Sequence, residues 1–342
     1  GVVVEYLAEN QKAALGHIMS VRLARTGEHM LVDGAARRNL EIFEPLRGES
    51  AKAATLLGVL DETATPMGAR LLRRWLGQPL LDPVEISRRQ DAVQVFIGSA
   101  VRRGRARQPL GRTPDMERVL ARVSAAAASS LTPSTPRDLI ALRRGLEAVP
   151  ELRVLLEPSQ IADEAEKAAA EEMLRGLHPC VETAALIAAG IADDPGPSGV
   201  IRAGFSDELD RLRTTARDAR QVVAEIEARE RERTGIRTLK VGYNRVFGYY
   251  LEVSKANAGS VPDDYQRKQT LVGGERYTTP ELHEHEYRVL HAQELEAELE
   301  QALLRQICSQ AAAEAERILA AAAAIAVIDV SAGLAEVASR HG

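Results

Sequence analysis

Apolar residues recur along most of this chain at spacings of three and four, the pattern of helices with one buried face. Thr65-Pro66 predicts an N-cap followed by proline at the first helical position, and Met67, Leu71, Leu72, Trp75 and Leu76 then form one apolar stripe. Arg70, Arg73 and Arg74 lie off that stripe. Asp82-Pro83 starts a second helix through Ile86, Val93 and Phe96; Pro114-Asp115 opens a third through Met116, Val119, Leu120 and Val123; Pro136-Arg137-Asp138 opens a fourth through Leu139, Leu142 and Leu146. The layout is that of a helical bundle. Asp193-Asp194-Pro195-Gly196-Pro197 reads as a loop, because two prolines and a glycine cannot continue a helix.

After that loop the period changes. Leu209, Leu212, Ala216, Ala219, Val223 and Ile226 follow a heptad, which predicts a helix from Ser206 to about Arg233 facing a partner helix and ending at a left-handed Gly235 cap. Between Gly235 and Thr279 stand five of the chain's seven tyrosines, and Phe247 to Val253 has strand formers throughout. Tyr243-Asn244-Arg245 and Gly273-Gly274 supply turn residues. Thr279-Pro280-Glu281 restarts a helix whose apolar positions Leu295, Leu299, Leu303, Ile307 and Ala311 recur at spacing four. The fold class that follows is mainly α: a helical bundle and a long antiparallel helical arm carrying a small antiparallel β-rich tip.

Composition agrees with a folded, helical chain: 342 residues, 45% hydrophobic, 27% charged and only 4% aromatic. The net charge of −5 excludes a general DNA-coating field, so any nucleic-acid contact must be local. The two cysteines, Cys180 and Cys308, make neither a disulfide framework nor a thiolate metal site, which suits a reducing cytoplasm. No export signal is visible, and no uninterrupted apolar run is expected to span a bilayer.

The β-rich tip differs in charge from the rest. Arg237, Lys240, Arg245, Lys255, Arg267, Lys268 and Arg276 outnumber Glu252, Asp263, Asp264 and Glu275. Such a patch suits phosphate oxygens, and bare backbone at Gly273 and Gly274 could approach a phosphate closely; read from the residues alone, it is more commonly a solvated strand face. The run Arg102 to Arg107 reads as a loop between helices, His283-Glu284-His285-Glu286 as an exposed helix start without metal-ligand spacing, and Asp61-Glu62 as a cap. The patterns GxxxxGK[ST], GxGxxG and GxSxG are absent from the sequence, so no catalytic residue and no metal or nucleotide site is assigned.

Three blocks carry a resemblance. Thr55-Leu56-Leu57-Gly58-Val59-Leu60-Asp61-Glu62-Thr63-Ala64-Thr65-Pro66-Met67-Gly68-Ala69-Arg70-Leu71-Leu72-Arg73-Arg74-Trp75-Leu76 resembles the core helices of the MutS family of bacterial DNA mismatch-repair proteins. Arg231 to Asn244 with Phe247-Gly248-Tyr249-Tyr250, and Arg267 to Leu271 with Glu275-Arg276-Tyr277 and Pro280-Glu281-Leu282, resemble the same family's clamp. The resemblance implies a lever formed by residues 1–204 and 291–342 and a clamp over 205–290 that holds the DNA backbone without reading sequence. It implies DNA-backbone contacts at Arg267, Lys268 and Arg276, with Gly273, Gly274, Lys240, Asn244 and Arg245 as further candidates. Many relatives carry an asparagine and a small residue before Glu275-Arg276, so Gly273-Gly274 would leave a backbone contact there instead of a side-chain one.

It further implies that a mismatch-reading domain precedes Gly1 and an ATPase domain follows Gly342. On that reading the chain is not an enzyme and holds no cofactor, while the parent uses ATP and Mg. The implied partners are duplex DNA and, for the intact protein, a MutL-type partner and a second copy, in the cytoplasm and away from membranes. Two alternatives remain: the same core from a MutS-like paralogue acting on recombination structures, and a structural coiled-coil arm that binds protein partners.

Overall fold

The computed structural model describes residues 26–46, 54–129, 136–196, 199–244 and 248–341, with Val2, Glu5 and Tyr6. The chain divides into two compact units, Gly1–Val200 with Leu304–Gly342, and Ile201–Leu303.

The first unit is helical. Its helices are α1 (Gly34–Asn39), α2 (Leu56–Leu60), α3 (Pro66–Gly77), α4 (Pro83–Ile97), α5 (Ala100–Arg112), α6 (Met116–Ala128), α7 (Pro136–Leu155), α8 (Glu164–Gly176) and α9 (Val181–Gly190). To these it adds α12 (Ala315–His341), the last helix of the chain. The caps expected from sequence are in place: Thr65 Oγ1 accepts from Gly68 N at 2.9 Å, Asp82 caps α4 and Asp115 caps α6. Two helices organise the rest. Helix α12 packs on α3, α4, α5, α6 and α8, and α7 packs on α5, α6 and α9. Because it is surrounded, α12 is apolar on all sides, with Ile318, Ala322, Ile325, Ile328 and Val330 wholly buried.

That composition corrects one expectation. Helix α12 is long and apolar enough, by length and composition, to cross a membrane, yet most of its apolar stretch is buried inside the helical unit. Its frequent alanines concealed the run, since they are short enough to let neighbouring helices come close. A second correction concerns Arg102 to Arg107, which lie inside α5 and not in a loop. Ser99 caps the helix, and its first two arginines are consumed by packing: Arg102 donates to the carbonyls of Val95, Leu155 and Gln160, while Arg103, 9% exposed, donates to Phe96 O and pairs with Glu336 at 2.9 Å. Third, Ile191–Gly196 (β1) is a strand in a two-stranded ribbon with Gly199–Ile201 (β2). A ribbon of two strands has only edges, where Pro195 removes no interior hydrogen bond.

The second unit contains α10 (Asp207–Thr234), four strands and the first part of α11 (Pro280–Ala313). Gly235 ends α10 at φ 71°, donating to Arg231 O at 3.0 Å. The strands β3 (Lys240–Asn244), β4 (Gly248–Ser254), β5 (Gln266–Thr270) and β6 (Gly274–Thr278) form an antiparallel sheet in the order β3-β4-β6-β5. Arg213 near the start of α10 pairs with Glu300 at 2.7 Å, and Arg229 near its end pairs with Glu281 at the start of α11, so the two helices run antiparallel.

The heptad on α10 does what its spacing predicts: Leu209, Ala216, Val223 and Ile226 are buried and Leu212 is partly so. Ala219's side chain lies outside the described residues. On α11 the seam differs from the expected one. Leu282, Val289 and Ala292 are buried while Leu295 is 39% exposed, and the place of an apolar contact is taken by Arg213 with Glu296 and Glu300. An ionic seam is invisible to a search for leucines.

Candidate nucleic-acid interface

The sheet has one dry face and one wet face because side chains alternate along each strand. Leu251, Val253 and Tyr277 point to the dry face, where they share a core with Val223, Ile226, Leu282 and Val289 of the two helices. Tyr265 belongs to the same core; burial and the acceptance of its hydroxyl by Glu230 at 2.7 Å push its pKa well up. Most of the tyrosines that marked this segment in the sequence therefore build the sheet's core, whereas Tyr243 is 49% exposed and meets Tyr249 with ring centroids 5.0 Å apart.

The other face carries a row of polar side chains across all four strands. Lys240 stands opposite Glu252, Glu252 opposite Arg276 and Arg276 opposite Gln269. Arg276 is fixed at the centre of that row. Its Nε donates to Glu252 Oε2 at 3.1 Å, its Nη1 to Gln269 Oε1 at 3.0 Å, and its guanidinium lies 4.1 Å over the Tyr250 ring. With the side chain 18% exposed, Arg276 presents only an edge to solvent.

Arg267 is different. It pairs in register with Tyr277, which places it on the opposite face from Arg276; its side chain is 60% exposed and its Nε lies 3.2 Å from Glu275. Lys268 falls at the bulge that shifts the β5 register and reaches inward, its Nζ 3.5 Å from Tyr249 O and 3.6 Å from Glu286. The three cations grouped by sequence are thus separated by the pleat and the bulge.

Lys240 is exposed and Asn244 part-buried on the wet face of β3, while Arg245 lies outside the described residues. Gly273 is exposed, its carbonyl accepting from Lys255 N at 3.2 Å. Gly274 is buried: a Cβ there would stand 2.5 Å from Val253 O, so its glycine serves the approach of β4 and is not left bare for a phosphate. Two cations that sequence reading counted but did not single out now gain weight. Arg237 and Lys255 are exposed, Arg237 just before Lys240 in the chain and Lys255 just after Glu252, the residue opposite Lys240 in the β3–β4 ladder, and among the described residues none of the three cations has a carboxylate partner. Their charge was visible in the sequence, but their nearness required the β3–β4 pairing.

A buried carboxylate anchors the other end. Glu286 Oε1 accepts from Tyr249 N at 3.1 Å, and Glu286 Oε2 lies 3.6 Å from Lys268 Nζ and 3.5 Å from His283 Nδ1. Gly248, at φ 72°, sits directly beneath this carboxylate, where any Cβ would overlap Oε1. Among the described residues no group of His, Cys, Asp and Glu could hold a metal ion.

The sequence profile of MutS domain III matches residues 35–335. The chain belongs to the MutS family. It is 44% identical to the DNA mismatch repair protein MutS of Symbiobacterium thermophilum over its whole length, and 42% identical to that of Solibacter usitatus. The MutS of Methanothrix thermoacetophila is 41% identical over 98% of the chain. In each comparison the chain spans just under two fifths of the MutS relative, 38 or 39% of its length. The mainly α architecture with a small antiparallel sheet is that of a domain III portion, and the resemblance carried by the three sequence blocks is the family's own.

Proposed function

We propose that this chain is the lever and clamp piece of a MutS-type DNA mismatch-repair ATPase. Residues 205–290 form the clamp, which rests on the backbone of duplex DNA without reading its sequence, and residues 1–204 with 291–342 form the lever that couples this contact to an ATPase domain elsewhere in the intact protein. ATP and Mg, a MutL-type partner and a second copy belong to that intact protein, which works in the cytoplasm. The chain itself contributes no nucleotide-hydrolysing residue, since the phosphate-cradling pattern is absent from its sequence.

The observation that carries this reading is the sheet of the second unit, where Arg237 and Lys255 stand close in the chain to the paired Lys240 and Glu252, and Arg267 projects from the edge strand β5. Lysine and arginine on strands match phosphate oxygens, and phosphate contacts position a protein without conveying base identity. Fluorescence anisotropy on matched and mismatched duplexes across a salt series tests it. The expected result is weak binding with equal affinity for both duplexes and a negative slope of log K against log salt, about −0.9 for each phosphate neutralised. Replacing Arg237, Lys240 and Lys255 together with alanine should flatten that slope by up to about 3 if each one meets a phosphate. No binding at low salt, or a clear preference for a mismatch, would overturn the reading, as would ATP turnover that follows the purified protein through every step.

A further inference from the structure

The outward face of α3 carries Arg70, Arg73, Arg74 and Gly77, at the i, i+3, i+4 and i+7 positions away from the buried Met67, Leu71 and Leu72. These residues border an open hollow of about 400 Å³, with Arg37, Phe43 and Gln78 completing its wall. Among the described residues, no carboxylate lines it. Arg70 is compensated, since Asp115 takes it at 2.5 and 2.8 Å and Glu117 at 2.6 Å. The other three are not. Arg37 spends one N–H on Gly77 O at 3.1 Å, Arg73 lies 4.5 Å over the Phe43 ring, and Arg74 sits close enough to Arg89 for its charge, after burial, to lower the Arg89 pKa.

Local structure accounts for where these side chains lie. Arg37 answers a carbonyl in the last turn of α3, and Arg73 covers an aromatic ring. Neither role requires three like charges around one hollow, where they repel one another with no carboxylate between them. In a chain of net charge −5, that concentration is most simply explained by an anion that compensates it.

We propose that this hollow is a binding site for a phosphate-class polyanion, held by Arg37, Arg73 and Arg74. The charge count selects the class: one carboxylate would neutralise one of the three guanidinium groups, whereas a phosphate carries about −1.5 to −2 and offers three acceptor oxygens. Guanidinium forks match such oxygens two at a time. The phosphate could come from a free polyphosphate or from a DNA backbone, and the experiment separates the two.

Sodium tripolyphosphate is titrated into the full chain by isothermal calorimetry, and a labelled duplex by anisotropy. The chain is compared with Arg37→Ala/Arg73→Ala/Arg74→Ala and with Arg105→Ala/Arg144→Ala/Arg305→Ala, a control that removes as many exposed arginines from the same unit. The expected result is a single tripolyphosphate site, weakened at least tenfold in the first variant and unchanged in the control, with helicity unaltered in both. Should the hollow variant lose duplex affinity and salt slope but tripolyphosphate not bind, the source is the DNA backbone and the site stands. Equal losses in hollow variant and control, or neither probe responding to the hollow variant, overturn it; a hollow variant that loses only the binding of an oligoglutamate probe overturns it in favour of an acidic protein partner. Arg74→Gln alone, which leaves the Phe43 and Gly77 contacts in place, repeats the test if the triple variant unfolds.

Discussion

The carboxylate of Asp329 accepts hydrogen bonds from both the backbone N–H and the hydroxyl of Thr65, at 2.8 and 2.7 Å, across 264 positions of sequence. The Ala64 N–H adds a third at 2.8 Å. A buried acid on α12 thereby completes the N-terminus of α3, where unpaired N–H groups and the helix dipole favour negative charge. Burial raises the Asp329 pKa, and these three donors pull it the other way. Asp329→Ala should destabilise the helical unit by about 2–6 kcal/mol, because each of the two buried Thr65 donors left unpaired costs about 1–3 kcal/mol. Asp329→Asn keeps the volume and one acceptor and should cost less. Urea unfolding followed by circular dichroism gives both values, and an unchanged midpoint for the alanine variant would refute this role.

Gly68 faces the same carboxylate from the next turn, with an added Cβ reaching 2.1 Å from Asp329 Oδ2. Alanine is ordinarily the better helix former by about 1 kcal/mol, so an exposed site would gain from the change. Here Gly68→Ala should destabilise by at least about 1 kcal/mol, the lower end of the cost of overpacking a core. In the Asp329→Ala background the sign should reverse, and a thermal-melt double-mutant cycle reads that reversal directly.

Arg70 and Asp115 give the helical unit a pH-dependent contact. The side-chain hydrogen bonds from Arg70 lower the Asp115 pKa below its ordinary 3.8, against the opposing effect of burial. A depressed acid contributes stability that is present above the unfolded value and lost as pH falls through the folded one. Arg70→Ala should therefore narrow the drop in melting temperature seen below about pH 4 while leaving Asp115 in place as the cap of α6. An acid limb identical in wild type and variant would count against the contact.

Which parts of this architecture could be read from sequence follows from what each signal depends on. Caps and stripes are local, so Thr65, Asp82, Asp115, Gly235 and the α10 heptad were legible. The α12 core was less so, because alanine marks a buried helix as weakly as a surface one. The arginines of α5 read as a loop because their acceptors lie on α4, on α7 and in the segment that follows it, beyond any local window. At the candidate interface the charges were legible, but their faces were not. Only the register of β4 with β6, and the bulge in β5, reveals that Arg276 is committed to Glu252 while Arg267 turns to the other side.

Gly248 and Glu286 make a steric test of the β-rich unit. Gly248→Ala introduces a side chain at φ 72° into the space of the Glu286 carboxylate, and should weaken the unit by about 1–3 kcal/mol. Glu286→Ala leaves the Tyr249 N–H without its acceptor and should also destabilise. Combined, the two should cost clearly less than their sum, because the second change removes the obstacle that the first one meets. Strict additivity in chemical unfolding would show that the two sites act independently.

The last prediction concerns the charge row of the wet face and rests on the proposed clamp function. Glu252 lies between two cations, opposite Lys240 and 3.1 Å from Arg276 Nε. A phosphate approaching that row meets an internal competitor, so Glu252 should lower DNA affinity even though it orders Arg276. Glu252→Gln keeps an acceptor for Arg276 and removes the charge; it should tighten duplex binding at low salt and steepen the salt slope by about 1, as one further cation becomes free to exchange a counterion for phosphate. Arg237→Ala/Lys240→Ala/Lys255→Ala should do the opposite, weakening matched and mismatched duplexes equally, since all three contacts would be to the backbone. Both variants leave the dry core untouched, so helicity and melting temperature should hold. Anisotropy across a salt series separates the outcomes: if Glu252→Gln binds no more tightly while wild type binds with a normal slope, the wet face is not where the phosphates lie, and Arg267 on the opposite face becomes the contact to pursue.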